Sequence, residues 1–247
     1  SSFTVGMVNA MNALEGVYKS SYELASTAIH IEQDLIKECV GSQDQISAAY
    51  GGFNEIEFYR NGSFSVKPLM INYDRKKDLN EHLMLFYTGI VRRAEKVAKS
   101  YVDNIDAKEK QLVRMQAMVG EAIEIMKNGN LDDFGLLLNE TWQQKRSFSK
   151  LVSNSFIDDI YTAALSAGAL GGKISGAGGG GFLLLYVPLE KQPDVKEKLS
   201  HLLYVPFHFE PSGSQIIFYG PHQEYKEEEL AQKNNLHSPF VELKDLK

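Results

Sequence analysis

Seven of the eleven residues from Gly171 to Gly181 (GGKISGAGGGG) are glycine. Such a run carries a large chain-entropy cost, and is useful where backbone must approach a ligand closely or take positive φ. Its flanks are not linker sequence. A helical pattern over 156–168 precedes it and an apolar strand, Phe182 to Val187 (FLLLYV), follows. Gly176-x-Gly178-x-x-Gly181 has the spacing of a dinucleotide fingerprint, but that motif follows a strand and opens a helix. Here the order is reversed, so the Rossmann reading fails. No Gly-Lys-Ser/Thr closes the run, which excludes a P-loop. Ser175 lacks the glycine two residues earlier that a nucleophile elbow needs. The expectation is a helix-to-strand loop over 171–181 that edges a phosphate site, packed against the start of the first helix.

Around this segment the pattern is mixed. Phe3 to Leu14 reads as a helix apolar on most sides, hence buried. A second helix starts at a capping box of Ser20 and Glu23 and runs to about Glu38, with Leu24, Ala28, Ile31 and Leu35 on one face. Asn54–Phe58 and Phe64–Pro68 flank Asn61-Gly62 and predict a hairpin. Further strands are expected at 82–87, 205–209 and 215–219, and helices at about 91–103, 106–127, 131–147, 156–168 and 193–203. Without regular β-α-β alternation, this favours an α+β class. Trp142 and the methionines Met115, Met118 and Met126 read as core.

Composition narrows function. A net charge of −6 argues against a nucleic-acid or anionic-membrane binder. The lone Cys39 leaves neither an internal disulfide nor a cysteine zinc site, which suits a reducing cytoplasm. The longest apolar stretch, Phe182 to Leu189, is too short to cross a bilayer, and no signal peptide is visible. The chain opens Ser1-Ser2-Phe3 without methionine, straight into a helical pattern, so an upstream segment is expected.

Two acids stand out by position. Glu32 lies about 60° round the second helix from its apolar face, at ~100° per residue. Asp44 follows in Gly41-Ser-Gln-Asp-Gln45, ahead of Ala48-Ala-Tyr-Gly-Gly52. By residue type alone a surface ion pair suits Glu32 and a helix cap suits Asp44. Thr88, Gly89 and Arg92 lie where a strand gives way to a helix, a place for an anion, though a solvated face also suits Arg92 and Arg93.

The segment Lys173-Ile-Ser-Gly-Ala-Gly-Gly-Gly-Gly-Phe182 strongly resembles the C-terminal glycine motif of the GHMP kinases, the family of galactokinase, homoserine kinase and mevalonate kinase. Ser1-Ser2 is similar to the end of that family's phosphate loop. The resemblance implies the GHMP-kinase fold, with residues 1–80 as the rest of an N-terminal domain, 81–220 as a ferredoxin-like C-terminal domain with added helices, and 221–247 as a tail. It implies ATP and Mg²⁺ as cofactors, Glu32 as a metal ligand and Asp44 as the catalytic carboxylate. Ser1, Ser2, Gly176, Ala177, Gly178 and Gly179 are then expected at the nucleotide, and Gln43, Gly51, Gly52, Thr88, Gly89 and Arg92 at the substrate. Gly41–Gln45, Ala48–Asn54, Tyr87–Arg92 and Phe209–Ile217 are similar to the branch that phosphorylates D-glycero-D-manno-heptose 7-phosphate at its anomeric hydroxyl. Fucokinase- or galactokinase-like action on a neutral sugar, and a sugar sensor without catalysis, are the alternatives. The expected partner is a small sugar or sugar phosphate, with no nucleic acid or membrane. A homodimer is left open.

Overall fold

Short polar side chains set where the helices of this protein begin. In the computed structural model, which describes residues 1–90, 97–100, 108–220, 225, 226, 230 and 233, Ser20 and Glu23 form the expected capping box. Asn72, Asn130 and Asn154 each accept a backbone N–H from the first turn that follows them. The elements are α1 (Ser2–Leu14), α2 (Ser21–Ile29) running into a π-helical turn (His30–Leu35), α3 (Gln43–Tyr50), β1 (Asn54–Phe58), β2 (Phe64–Pro68), α4 (Tyr73–His82) and β3 (Leu83–Tyr87). Then come α5 (Glu109–Asn128), α6 (Leu131–Arg146), α7 (Ser155–Ser166), β4 (Gly171–Ile174), β5 (Phe182–Tyr186), α8 (Gln192–Lys198) and β6 (Leu203–Tyr204).

Strands β1 and β2 form the expected Asn61-Gly62 hairpin, with Asn54 opposite Pro68 and Phe58 opposite Phe64. Strands β3 to β6 form one antiparallel sheet in the order β4-β5-β3-β6. Helices lie between β3 and β4 and between β5 and β6 in the chain. That order and connection are those of the doubled split β-α-β unit, a ferredoxin-like sheet. Its core gathers Met84, Phe86, Trp142, Ile157, Leu183 and Leu185. A separate cluster of Val5, Val8, Leu24, Ala28, Ile46 and Phe64 joins α1, α2, α3 and the hairpin. The chain divides into a compact unit Ser1–Gln215 and a second, Ile216–Lys247. The 80/81 boundary read from sequence falls inside α4.

Several expectations need correction. Helix α1 is not buried all round: Val5 and Val8 pack inward, while Phe3 is 77% and Leu14 81% exposed, because α2 and α3 meet only one of its faces. Leu35 does not continue the apolar face of α2. The Ile36 N–H bonds to the Ile31 carbonyl, and this wider turn shifts the phase, leaving Leu35 65% exposed and Glu32 4% exposed. Helix α4 went unpredicted because Leu79 is its only buried residue and no apolar stripe marks it. Gly171–Ile174 is a strand, not loop. Stretches 205–209 and 215–219 have no regular structure beyond the Val205 N–H bond to Leu85 O, which prolongs β6 by one residue.

Candidate active site

The glycine run divides by role. Gly171 and Gly172 lie in β4, where packing demands glycine: a Cβ on Gly171 would lie 2.0 Å from Gly135 O on α6. The loop proper begins at Ser175 and crosses from β4 to β5, with Ser175 N–H donating to Phe182 O at 2.8 Å. It is ordered by backbone bonds, Gly179 N–H to Val152 O at 2.8 Å and Gly181 N–H to Ile90 O at 3.0 Å. Gly178 has φ 108° and a Cβ there would meet Val152 O at 2.8 Å, so side chains are excluded. Among the described residues no backbone or side-chain hydrogen bond joins this loop to α1. Its partners include Val152, ahead of α7, Lys145 of α6, and the Thr88–Ile90 turn, where Thr88 Oγ1 donates to Gly181 O at 2.9 Å.

The start of α1 instead meets Glu32. Thr4 Oγ1 donates to Glu32 Oε1 at 2.6 Å and Ser1 Oγ to Oε2 at 3.0 Å, with the Ser1 nitrogen 3.2 Å from Oε1. From α3, Gln45 Nε2 donates to Oε2 at 2.6 Å. Burial pushes the Glu32 carboxyl up, but the hydrogen bonds from Thr4, Ser1 and Gln45 outweigh it and hold the group below the usual glutamate range. A surface pair for Glu32 is therefore not what forms. Two of the donors around it are hydroxyls, those of Ser1 and Thr4, and the buried Gln45 Oε1 has no donor. Oxygen ligands of this kind suit a hard cation.

Asp44 lies in the first turn of α3, exposed, one residue before the buried Gln45. Its charge is felt across the site by Lys145, on the last turn of α6, and by Lys173, on β4. Lys145 Nζ also donates to Gly176 O. Burial pulls Lys145 down to about 8, helped by repulsion from Lys173 and opposed by Asp44. Burial lowers Lys173 as well, again opposed by Asp44. Thus Asp44 and the glycine loop, distant in sequence, share one electrostatic neighbourhood.

At the far end of α3 the chain turns through Gly51 and Gly52. Residues 210–214 pack here with almost no clearance: a Cβ on Gly213 would lie 2.0 Å from Ala49 O. The contact is closed by Gly52 N–H to Glu210 O at 3.0 Å and Ser214 N–H to Ala48 O at 2.9 Å. A cleft of about 370 Å³ lies here, lined by Ser2, Ser47, Gly51, Gly52, Ser212 and Gly213 among others. Gln43 is exposed on the first turn of α3. Gly89 (φ 73°) is exposed beside Thr88, whose hydroxyl is engaged by Gly181. Arg92 and Arg93 lie outside the described residues. Sequence reasoning missed Thr4 and Lys145. Lys145 was legible in one respect, since it stands three residues after the buried Trp142 on the inward face of α6.

Residues 122–205 match the family profile of the GHMP kinases C-terminal domain. The L. major mevalonate kinase superposes with a TM-score of 0.63 at 22% identity, over 85% of this chain and 64% of that one. The fold is that of the GHMP kinases. A protein of Campylobacter jejuni assigned as a sugar kinase superposes with a TM-score of 0.64 at 29% identity, over 85% of this chain and 61% of that one. In sequence, the chain is 34% identical to the D-glycero-alpha-D-manno-heptose 7-phosphate kinase of Campylobacter jejuni over 218 residues, 86% of this chain. It spans 64% of that relative's length. Within this GHMP-kinase fold, the profile match begins in α5 and ends just after β6, so it takes in the glycine loop and both lysines.

Proposed function

We propose that the protein of which this chain is part is an ATP-dependent sugar kinase, and that its acceptor is D-glycero-D-manno-heptose 7-phosphate, phosphorylated at the anomeric hydroxyl. The observation that carries this reading is the 34% identity to a heptose 7-phosphate kinase across 86% of the chain. It is supported by Asp44, whose negative charge opposes the burial effect on Lys145 and Lys173 beside the glycine loop. In the proposed reaction the acceptor oxygen attacks the γ-phosphorus as the bond to the bridging oxygen of ADP breaks. The acceptor proton passes to the Asp44 carboxylate and then to solvent. The cleft beside Gly51 and Gly52 would hold the sugar, and Gln43, at the other end of α3, stands outside its lining. The ordered loop at Gly176–Gly179 would lie along the nucleotide phosphates, with Ser1 and Ser2 at their border.

The residues around Glu32 fit Mg²⁺ in donor type. Glu32 would hold the ion, and the Ser1 and Thr4 hydroxyls that now donate to it could turn to share the load. When bound, Mg²⁺ supplies charge neutralisation to the nucleotide phosphates. A substrate pair of ATP and a sugar phosphate also implies a cytoplasmic enzyme. Among the described residues no helix is long and apolar enough to cross a membrane.

The test is an ATP assay of the full protein with heptose 7-phosphate, free heptose, L-fucose and D-galactose. The heptose phosphate should give the highest kcat/KM. A higher value for fucose or galactose would replace this reading with a neutral-sugar kinase, and no turnover with any of them would leave a sugar sensor.

A further inference from the structure

Gln45 is wholly buried, yet only half of its amide is used. Its Nε2 donates to Glu32 Oε2 at 2.6 Å, from the first turn of α3 to the π-helical turn that follows α2. Its Oε1 has no donor among the described residues. Turning the amide over would not help, because a carboxylate only accepts, and two oxygens would then face each other. Buried polar atoms are nearly always paired, and one that is not calls for a water or an ion. Packing alone would be served at this position by a leucine or a methionine.

Glu32 sharpens the demand. Among the described residues its side-chain partners are Ser1, Thr4 and Gln45, none of them a side-chain cation. A buried carboxylate and a buried carbonyl oxygen, one amide width apart, make a corner rich in oxygen acceptors. Such a corner suits a hard cation that keeps part of its water. The same contact bears on Asp44, which is bracketed on both sides. Ahead of it, Gln33 donates to Val40 O at 2.9 Å and to Ser42 Oγ at 3.1 Å. Directly after it, Gln45 is tied to Glu32. The proposed base and the proposed metal ligand are thereby held on one frame.

We propose that Gln45 is a positioning residue for a cation site: its N–H holds Glu32 for metal binding, and its Oε1 accepts a hydrogen bond from a water carried by the cation. The proposal rests on the kinase reading for its catalytic meaning, while cation binding is measured without any sugar.

The first measurement follows the Gln45 side-chain amide by NMR in the full wild-type protein, at a fixed concentration of a non-hydrolysable ATP analogue. The analogue alone should leave that resonance in place, and added Mg²⁺ should shift it with the affinity that calorimetry gives for the ion. An amide that ignores Mg²⁺ would overturn the proposal. The second measurement uses Gln45→Met, which keeps the shape and removes both amide groups. Its Mg²⁺ affinity in the analogue complex should fall by about 10–100-fold, the range for losing an outer partner of a metal ligand, with affinity for the metal-free analogue unchanged. In turnover, kcat should fall at low Mg²⁺ and recover as Mg²⁺ is raised. A merely structural glutamine would leave a defect that Mg²⁺ does not repair, and that result, or wild-type Mg²⁺ affinity in Gln45→Met, overturns the proposal. If no sugar is phosphorylated, the kinase reading fails, and the NMR and calorimetric titrations still decide the role of Gln45. If Gln45→Met does not fold, the wild-type amide titration decides it.

Discussion

At the scale of single residues, Asp44 and Glu32 differ in how their surroundings constrain them. Asp44 is exposed and makes no ion pair within 4 Å among the described residues, so its replacement should disturb chemistry rather than folding. Asp44→Asn is expected to lower turnover by about 10²–10⁴-fold, the range for losing a positioned base. Isothermal titration should show nucleotide affinity largely kept, and near-normal turnover would remove Asp44 from the mechanism. Glu32 is the opposite case. Its two oxygens take hydrogen bonds from Thr4, Ser1 and Gln45. In Glu32→Gln an amide N–H₂ would confront donors on one side. The loss should be about 2 kcal/mol, read from urea midpoints. The same variant should bind Mg-ATP more weakly than wild type. Asp44 was legible only through its motif, since an exposed acid at a helix start has an ordinary capping explanation. The burial of Glu32 depended on the π-helical turn, and nothing in the local pattern of 30–35 announces a change of pitch. Lys145 was hidden because residue type places lysine outside, and only its spacing from Trp142 says otherwise.

At the scale of elements, the hairpin and the Ser20 cap were readable because local rules determine them: Asn-Gly favours a tight turn, and Ser-x-x-Glu ties off a helix start. Helices α5 to α7 followed from their periodicity and from Asn130 and Asn154 at their starts. Helix α4 was not readable, because only Leu79 of its residues is buried and its energetics come from elsewhere. Arg75 of this helix, for instance, donates to the carbonyls of Ile125, Met126 and Gly129, capping the end of α5. The end of α3 shows a third situation, where two distant segments share space too small for a side chain. Gly213 has only ordinary turn composition around it, yet its missing Cβ is what lets 210–214 reach Ala49. Gly213→Ala should therefore destabilise the protein by about 3 kcal/mol, the upper end for overpacking. It should also widen the cleft at Gly51 and Gly52, raising KM for the sugar while KM for ATP stays near wild type. A variant as stable as wild type with unaltered KM would show that the loop can yield at no cost.

At the scale of the molecule, the proposed site draws on two of the hydrophobic clusters. Ser1, Thr4, Glu32 and Asp44 stand on elements packed around Val5, Leu24 and Ile46, while the glycine loop and its lysines border the sheet core of Trp142, Leu183 and Leu185. The sheet order was foreseeable from the glycine motif's family resemblance, whereas the run of helical and strand patterns alone gave no more than an α+β class. Between the two clusters lie a third apolar cluster, in which Phe53 and Ile71 pack with Leu79, Leu83 and Tyr186, and the polar Glu210–Ser214 backbone contacts at the end of α3. Exposed polar links such as the Glu210–Ser214 contacts open more readily than the cores they flank. A ligand that binds across them should close both sides together. Hydrogen exchange of the full protein should show the slowest amides in β3 and β5, at Met84, Phe86, Leu183 and Leu185. Adding a non-hydrolysable ATP analogue with Mg²⁺ should slow exchange in the first turn of α1 and across Ser175–Gly181 in the same titration, with one apparent affinity. If the nucleotide protects only the glycine loop, then Ser1, Ser2 and the Glu32 network do not belong to its site. Protection of neither segment would place the nucleotide elsewhere and remove the phosphate role of the glycine run.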